Sequence, residues 1–194
     1  MIYYIITVLV FISFIVYDVN SIKFNNHFLN KIFLIGIFIF FMQNVILMFT
    51  LRNNIIYNRI NIVLITLSII FFCLLIYTLF FSLPFKDTYI KKENEGKVIR
   101  TGMYGFSRHI GVLWFILMYI PLVFVFKSNF FNKFVLLSSI LNVIYVVFQD
   151  NYTFLYSFED YEEYKKEVPF IIPTLASIKK TCEKREKNEL QKKI

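Results

Sequence analysis

The stretch of sequence that decides the fold runs from Ile60 to Leu83 and reads INIVLITLSIIFFCLLIYTLFFSL. It carries no charged residue, and it ends at Pro84, whose ring prevents a helix from continuing. The hydrocarbon core of a bilayer is about 30 Å thick and requires roughly 20 apolar residues in one helix. The stretch therefore predicts a transmembrane helix.

Four further apolar runs predict helices of the same kind. They are Ile2 to Tyr17, Ile32 to Leu51, Ile110 to Phe126 and Phe134 to Phe148. Asp18 bounds the first run, Pro121 is expected to break the run from Ile110, and polar residues dilute the last one. The first run lacks the basic start and the cleavage site of a signal peptide, so we expect it to be retained. Because the bilayer interior offers no water, each run should be a helix and not an open strand.

The composition agrees with these spans. The chain is 58% hydrophobic, and its mean hydropathy is +0.62, which excludes most classes of soluble protein. The sequence predicts an all-α, polytopic integral membrane protein with about five transmembrane helices and a cytoplasmic C-terminal cofactor-binding region. The expected parts are three scaffold helices in residues 1–84, a region with two more helices in 85–175, and a charged tail in 176–194.

The basic residues predict the orientation. With five spans, all but four of the 21 Lys and Arg residues fall on one side of the membrane. The exceptions are Arg52, Arg59, Lys127 and Lys133. Because basic residues stay in the cytoplasm, the loop from Pro84 to His109 and the tail from about Asn151 should be cytoplasmic, with the N-terminus outside the cell membrane. Anionic headgroups explain the net charge of +8, so no nucleic-acid partner is predicted.

Metal and disulfide chemistry have no support in the sequence. Cys73 lies inside an apolar run and Cys182 lies in the polar tail, which is too wide a separation to suggest a disulfide. The cysteines and the two histidines do not show the spacing of metal ligands. We therefore predict no metal site.

One string of residues before the fourth span has an unusual composition. It reads VIRTGMYGFSRHIGVLWF from Val98 to Phe115, and it holds the only Trp and one of the two His residues. Three of the five glycines, Gly102, Gly105 and Gly111, also lie in it. Glycine lets the backbone approach a ligand or another chain closely. A site near Arg108 and His109 at the membrane boundary is therefore a hypothesis that the sequence favours.

A second string follows the last apolar run. Gln149 and Asp150 end that run, and FEDYEEYKKEVPFIIP follows from Phe158 to Pro173. A carboxylate at the end of a span must be solvated, paired or functional. The alternation of Glu and Lys from Glu162 to Glu167 is typical of the polar face of a surface helix, which Pro169 should stop.

The two strings together resemble a known family. The pattern Thr-Gly-x-Tyr-x-x-x-Arg-His begins at Thr101, and Phe-x-x-Tyr-x-x-Tyr-x-x-x-Val-Pro begins at Phe158. In this order they are similar to the C-terminal half of the isoprenylcysteine carboxyl methyltransferase and phospholipid methyltransferase superfamily of membrane enzymes. The resemblance covers about Val98 to Pro173.

This resemblance implies a pocket for S-adenosylmethionine and methyl transfer to a lipid or lipid-anchored acceptor within the membrane. His109 and Arg108 would be the catalytic residues, and His109 would shuttle a proton if the acceptor is an amine. Asp150 would bind hydroxyl or amine groups of the cofactor. The cofactor-binding residues implied are Tyr104, Arg108, His109, Gly111, Leu113, Gln149, Asp150, Tyr164, Val168 and Pro169.

The sequence also departs from the family pattern, which keeps alternatives open. Ile110, Val112 and Trp114 stand where the family usually has Pro, Tyr and Gly, and Glu167 replaces a basic residue. Gln149 and Asp150 stand where the family usually has two glutamates, so only one of the two acids is present. The alternatives are a membrane scaffold protein of the same fold and an NADPH-dependent membrane reductase. A transporter is disfavoured because no ionisable residue lies midway in a predicted span.

Overall fold

The computed structural model of the protein describes residues 1–82 and 96–191, with side chains through residue 184. Within these ranges the chain is helical and contains no strand, which confirms the predicted all-α class. A 3₁₀ turn covers Arg52–Asn54 and a π-helix covers Gln149–Thr153. The α-helices are α1 (Ile2–Lys23), α2 (His27–Leu51), α3 (Arg59–Phe80), α4 (Met103–Phe106), α5 (Ile110–Phe126), α6 (Asn129–Phe148), α7 (Phe154–Ser157), α8 (Tyr161–Glu167) and α9 (Leu175–Gln191).

Four helices in the described part of the chain are long and apolar enough to cross a membrane. They are α1, α2, α3 and the helix Asn129–Ser157, whose first part is α6. This fits a multi-pass membrane protein. The remaining predicted span, the fourth along the chain, is also an apolar helix, α5, but its 17 residues make it shorter than the other four.

The first two helices extend beyond the predicted apolar runs. α1 continues through Asp18 to Lys23, so Asp18 is not the boundary that the sequence indicated. The reason is that Asp18 is buried and hydrogen-bonded inside the protein, which stabilises a polar residue within a helix. α2 begins earlier than predicted, at His27, because the Asn26 side chain accepts a hydrogen bond from the Phe28 N–H and caps the helix.

The prediction that Pro121 breaks its helix is wrong. Pro121 lies inside the continuous helix α5. A proline removes one donor from the helix and disturbs the preceding turn, and neighbouring polar side chains compensate for this in membrane helices. The carbonyl that lacks its helical donor is that of Leu117, and the Ser68 hydroxyl donates a hydrogen bond of 2.8 Å to the next carbonyl in the same turn, that of Met118.

The remaining predictions about helices have mixed outcomes. α6 begins at Asn129 and not at Phe134, because the Ser128 side chain caps it. The surface helix predicted before Pro169 is confirmed as α8, and the charged tail forms α9. Leu83, Pro84 and the basic residues Lys86, Lys91 and Lys92 lie outside the described residues, as do Lys192 and Lys193.

The chain divides into two compact units. The first contains residues 1–70 and 116–156, and the second contains residues 71–115 and 157–194. In the first unit, α1 packs against α2 and α6 through aromatic rings, and the Phe11 ring lies 5.6 Å from Phe14, 5.9 Å from Phe40 and 6.4 Å from Tyr145. An apolar groove of about 350 Å³ lies between α1 and α2, and no predicted site residue lines it.

Replacing Gly36 with alanine is expected to destabilise the first unit. A Cβ atom at Gly36 would lie 2.8 Å from both the Phe14 ring and the Ser13 hydroxyl, so these side chains would have to move or α1 and α2 would have to separate. Overpacking of this kind costs about 1–3 kcal/mol. Thermal unfolding in detergent measures the effect. Gly111→Ala is the matched control, because a Cβ there would be 3.7 Å from its nearest neighbour, and an equal loss in both variants would contradict the packing argument.

Candidate functional site

In the second unit, the string that contains Arg108 and His109 pairs with the segment after α8. The N–H groups of Arg108 and His109 donate hydrogen bonds of 2.9 Å to the carbonyls of Pro169 and Phe170. The buried Ser107 hydroxyl lies 2.9 Å from the Phe170 carbonyl and 2.7 Å from that of Ile171. These bonds bring together Arg108, His109 and Pro169, three of the residues that the resemblance implied.

The Arg108 guanidinium caps the C-terminal end of α8. Its Nη1 donates to the carbonyls of Lys165, at 2.9 Å, and Val168, at 2.5 Å. The last carbonyls of a helix lack partners within the helix, and a cation there also interacts favourably with the helix dipole. The guanidinium carbon lies 5.5 Å from the centre of the Phe170 ring. Arg108 was predicted as a catalytic residue, and the structure gives its side chain a structural role in holding Val168 in place.

Two tyrosines connect the same elements. The buried Tyr164 hydroxyl donates a 2.6 Å hydrogen bond to the carbonyl of Tyr104. The Tyr104 hydroxyl donates in turn to the carbonyl of Thr78, at 3.2 Å. Burial raises the pKa of Tyr104 above its ordinary value, so its hydroxyl keeps its proton and acts as a donor near neutral pH. Tyr164 and Tyr104 therefore fix α8 and α4 to the end of α3.

His109 lies at the junction of this hydrogen-bonded region with the apolar helix α5. Its side chain is buried, at 7% exposure, and its ring meets the Phe170 ring edge to face, with centroids 5.1 Å apart. Leu113, also a predicted site residue, is half-buried in the first turns of α5. Gly111 lies between them, and a Cβ there would make ordinary contacts of 3.7 Å with Leu75 and 3.9 Å with Leu79. Close packing with these neighbours therefore does not require a glycine at position 111.

In the sequence Trp114 stood out as the only tryptophan and as a departure from the pattern of the resembling family. Its ring stacks on Phe71, with centroids 6.2 Å apart and an interplanar angle of 17°. Its Nε1–H is buried and has no acceptor among the described residues. Burying an N–H group without an acceptor costs folding free energy. The sequence did not indicate that the N–H of Trp114 would be buried in this way.

Charged groups secure the outer face of the second unit. The Arg100 guanidinium lies 2.8 Å from a carboxylate oxygen of Asp160 and 3.4 Å from Glu167, which also pairs with Lys180 at 3.0 Å. Although burial opposes ionisation, the Val98 N–H and Arg100 hold the pKa of Asp160 below its ordinary value. The Lys180 ammonium lowers the pKa of Glu167. The charge at Glu167, which departs from the pattern of the family that the sequence resembles, therefore has a local partner.

The Asp160 pairing should make stability depend on pH. A carboxylate whose pKa is lowered by folding stabilises the protein above its unfolded pKa, which for Asp is about 3.9, and this contribution disappears as the pH falls through the folded pKa. We expect Asp160→Asn to be less stable than the unmodified protein at pH 7, with the difference shrinking towards zero in acid. Chemical denaturation at a series of pH values measures it. A difference that stays constant throughout the series would contradict the pairing.

The predicted residues Gln149 and Asp150 belong to the first unit, in the π-helix, and Asp150 is 4% exposed. The Gln149 amide donates to the Asp18 carboxylate at 3.1 Å and to the Tyr145 hydroxyl at 2.8 Å. The Thr153 hydroxyl lies 3.3 Å from the same Asp18 oxygen. The sequence analysis did not predict that Asp18 would be a buried hydrogen-bond acceptor for these two residues. An acidic residue at the end of an apolar run was the signal that could have indicated it. A role of Gln149 and Asp150 in cofactor binding stays a prediction.

The described residues show no metal-binding constellation. They contain no group of three or more His, Cys, Asp or Glu side chains that would hold a metal ion. Cys73 and Cys182 are both free and exposed.

Comparisons of the chain with models of known protein families, with curated proteins and with solved structures found no match. The family resemblance therefore rests on the two strings of the sequence. The contacts in the second unit are an observation independent of that resemblance.

Proposed function

We propose that the protein is an integral membrane methyltransferase that transfers a methyl group from S-adenosylmethionine to a lipid or lipid-anchored acceptor. The family proposed is the isoprenylcysteine carboxyl methyltransferase and phospholipid methyltransferase superfamily. The observation that carries the proposal is the pairing of the Arg108-His109 string with the segment from Val168 to Ile171. Two segments far apart in the sequence, each half of the family pattern, meet within one compact unit.

The side chains around this pairing suit a molecule with hydrogen-bond acceptors and an aromatic ring. The buried Trp114 N–H has no acceptor among residues 1–82 and 96–191, and in this proposal a bound molecule supplies one. The rings of His109 and Phe170, which meet edge to face at the start of α5, provide aromatic surface. The adenine base and the carboxylate of S-adenosylmethionine have these properties.

Methyl transfer from S-adenosylmethionine requires little chemical catalysis from the protein itself. When bound, S-adenosylmethionine supplies a methyl group that is already activated by the sulfonium. The chain has to orient the acceptor and exclude water, which is catalysis by positioning. Arg108 contributes by holding Val168 and the following segment, so we describe it as a positioning residue. His109 is the group suited to accept a proton if the acceptor is an amine.

We also propose five spans, with α5 as the fourth, an N-terminus outside the cell and a cytoplasmic C-terminal region. The 17 residues of α5 reach the lower end of the range of about 17–25 residues that span a bilayer. The distribution of basic residues supports the orientation. It would place the second string on the side of the membrane where the cofactor is made.

One observation favours a second candidate, a scaffold protein of the same fold without catalysis. The Arg108 guanidinium and the Tyr164 hydroxyl, both predicted to bind the cofactor, donate to backbone carbonyls of the protein itself. These contacts explain the family-like string without a cofactor. The two candidates differ in whether they bind S-adenosylmethionine.

Titration of the purified protein in detergent with S-adenosylmethionine, S-adenosylhomocysteine and NADPH separates the candidates. The methyltransferase should bind the first two with micromolar affinity and should not bind NADPH. Binding of NADPH alone would contradict methyl transfer and favour a reductase. Binding of none of the three would favour the scaffold.

His109→Ala should weaken S-adenosylmethionine binding by about tenfold, which corresponds to about 1.4 kcal/mol. The physical reason is the loss of a buried ring beside Phe170 at the centre of the proposed site. His27→Ala is the matched control, since His27 is exposed and lies at the start of α2. Calorimetric titration of both variants is the measurement, and equal affinity in the two would reject His109 as part of the site.

A further inference from the structure

The helix that begins with α6 contains a single π turn, Gln149–Thr153, between α6 and α7. At its end the Phe154 N–H donates to the carbonyl of Gln149, five residues earlier. π turns are rare, and they occur mostly as single turns within α-helices and frequently at functional sites. Because a π turn is wider than an α turn, its residues leave the helix axis in different directions from those of an α-helix. The direction of each side chain in this segment therefore depends on the π turn.

Asp18, a residue of α1, holds this turn at both of its ends. Its Oδ2 atom accepts a hydrogen bond of 3.1 Å from the amide of Gln149 and one of 3.3 Å from the hydroxyl of Thr153. Gln149 is the first residue of the π turn and Thr153 is the last. The Asp18 side chain is buried, so water does not readily take over these bonds. A single acceptor on α1 therefore stabilises the whole turn.

Asp150 lies between the two residues that Asp18 holds. It is buried like them, in the same compact unit. In the proposed function its carboxylate binds hydroxyl or amine groups of S-adenosylmethionine. Since Gln149 and Thr153 enclose Asp150 in the turn, fixing them also fixes the direction in which the Asp150 carboxylate leaves the helix.

We propose that Asp18 is a positioning residue for the binding of S-adenosylmethionine, and that it acts through the π turn on the direction of Asp150. This inference rests on the proposed function, and it gives α1, predicted as scaffold, a part in the cofactor site. Asp18 has to accept two hydrogen bonds, and Asn at this position keeps an oxygen that does so. Asp18→Asn should therefore preserve the turn, whereas Asp18→Ala should not.

Hydrogen exchange of the protein without cofactor tests the effect on the turn. The matched control is Asn20→Ala, because Asn20 is also a buried residue of α1, and its side chain donates to the Asn26 carbonyl and to the Asn30 side chain at the start of α2. We expect the amides of the π turn to exchange several-fold faster in Asp18→Ala than in Asn20→Ala or Asp18→Asn. Equal rates in the two alanine variants would overturn the proposal.

Calorimetric titration with S-adenosylmethionine tests the effect on binding. Loss of a hydrogen bond from a charged group weakens binding by about tenfold or more, so Asp18→Ala should show a loss of about this size, while Asp18→Asn and Asn20→Ala bind almost as the unmodified protein does. Since Asp18 acts through Asp150, Asp18→Ala combined with Asp150→Asn should bind no more weakly than Asp150→Asn alone. Additive losses, which a general destabilisation would cause, would overturn the proposal.

Thr153→Val carries the same test if Asp18→Ala does not fold. It keeps the shape of the side chain but removes the hydroxyl that donates to Asp18, and Thr153→Ser restores that hydroxyl. We expect faster exchange and weaker binding in Thr153→Val, with recovery of both in Thr153→Ser. An unmodified protein that binds neither S-adenosylmethionine nor S-adenosylhomocysteine would overturn the proposed function together with this role of Asp18. If the unmodified protein binds them and Asp18→Ala and Thr153→Val bind them equally well, only the role of Asp18 is overturned.

Discussion

Replacing Arg108 with alanine is expected to lower the free energy of unfolding by about 3 kcal/mol, since hydrogen bonds from charged donors contribute roughly 1.5–3 kcal/mol each. The variant loses both bonds to the carbonyls of Lys165 and Val168 and the contact of the guanidinium with Phe170. The C-terminal end of α8 would then have no cap from this side chain. Chemical denaturation in detergent, followed by circular dichroism, measures the loss.

Two further substitutions give this prediction its controls. Arg108→Lys keeps the charge but not the planar fork of donors, so we expect an intermediate loss. Arg59→Ala removes an exposed arginine at the start of α3 and should change stability little. If Arg108→Ala is as stable as Arg59→Ala, the guanidinium does not cap α8. Faster proteolysis after Lys165 or Lys166 in Arg108→Ala would localise the effect to this helix.

The second large effect is expected for Gln149→Ala. This change removes the amide that donates to the buried Asp18 carboxylate and to the Tyr145 hydroxyl. A buried acceptor that loses a donor is destabilised by about 1–3 kcal/mol. The thermal unfolding temperature of the purified protein should fall accordingly, because Asp18 is only 3% exposed and water does not readily replace the lost donor.

A double-mutant cycle tests whether Asp18 is the partner. Because Asp18→Ala and Gln149→Ala remove the same interaction, the double variant should be more stable than the sum of the single losses indicates, by about 1–3 kcal/mol. Asn54→Ala, at an exposed position, is the control for loss of an amide. Additive losses of Asp18 and Gln149 would show that the two side chains act independently.

The sequence predicted the helical class and several helices well. The run from Ile110 to Phe126 coincides with α5 because Arg108-His109 and Lys127 bound it with charged or polar residues. The end of α1 did not follow from the sequence, since Asp18 remains in the helix through bonds with Gln149 and Thr153 from a distant segment. Helix ends that depend on such tertiary partners have no local signature.

The contacts of the candidate site could also be predicted only in part from the sequence. The resemblance implied that the Arg108-His109 string and the Val168-Pro169 segment act together, and the structure brings them into contact. The resemblance did not imply that Arg108 would cap α8. The acceptors are backbone carbonyls, which every residue has, so the sequence does not identify them. The buried N–H of Trp114 was likewise invisible, since its environment depends on Phe71 in another helix.

Methyl transfer itself is the most direct test of the proposed function. The purified protein in lipid nanodiscs is incubated with S-adenosylmethionine labelled in its methyl group and with lipids and lipid-anchored material extracted from membranes, and the label in the organic phase is counted. We predict time-dependent labelling of the organic phase that falls strongly in His109→Ala and is retained in His27→Ala. Absence of labelling in the unmodified protein, together with no affinity for S-adenosylmethionine or S-adenosylhomocysteine, would contradict the assignment as a methyltransferase.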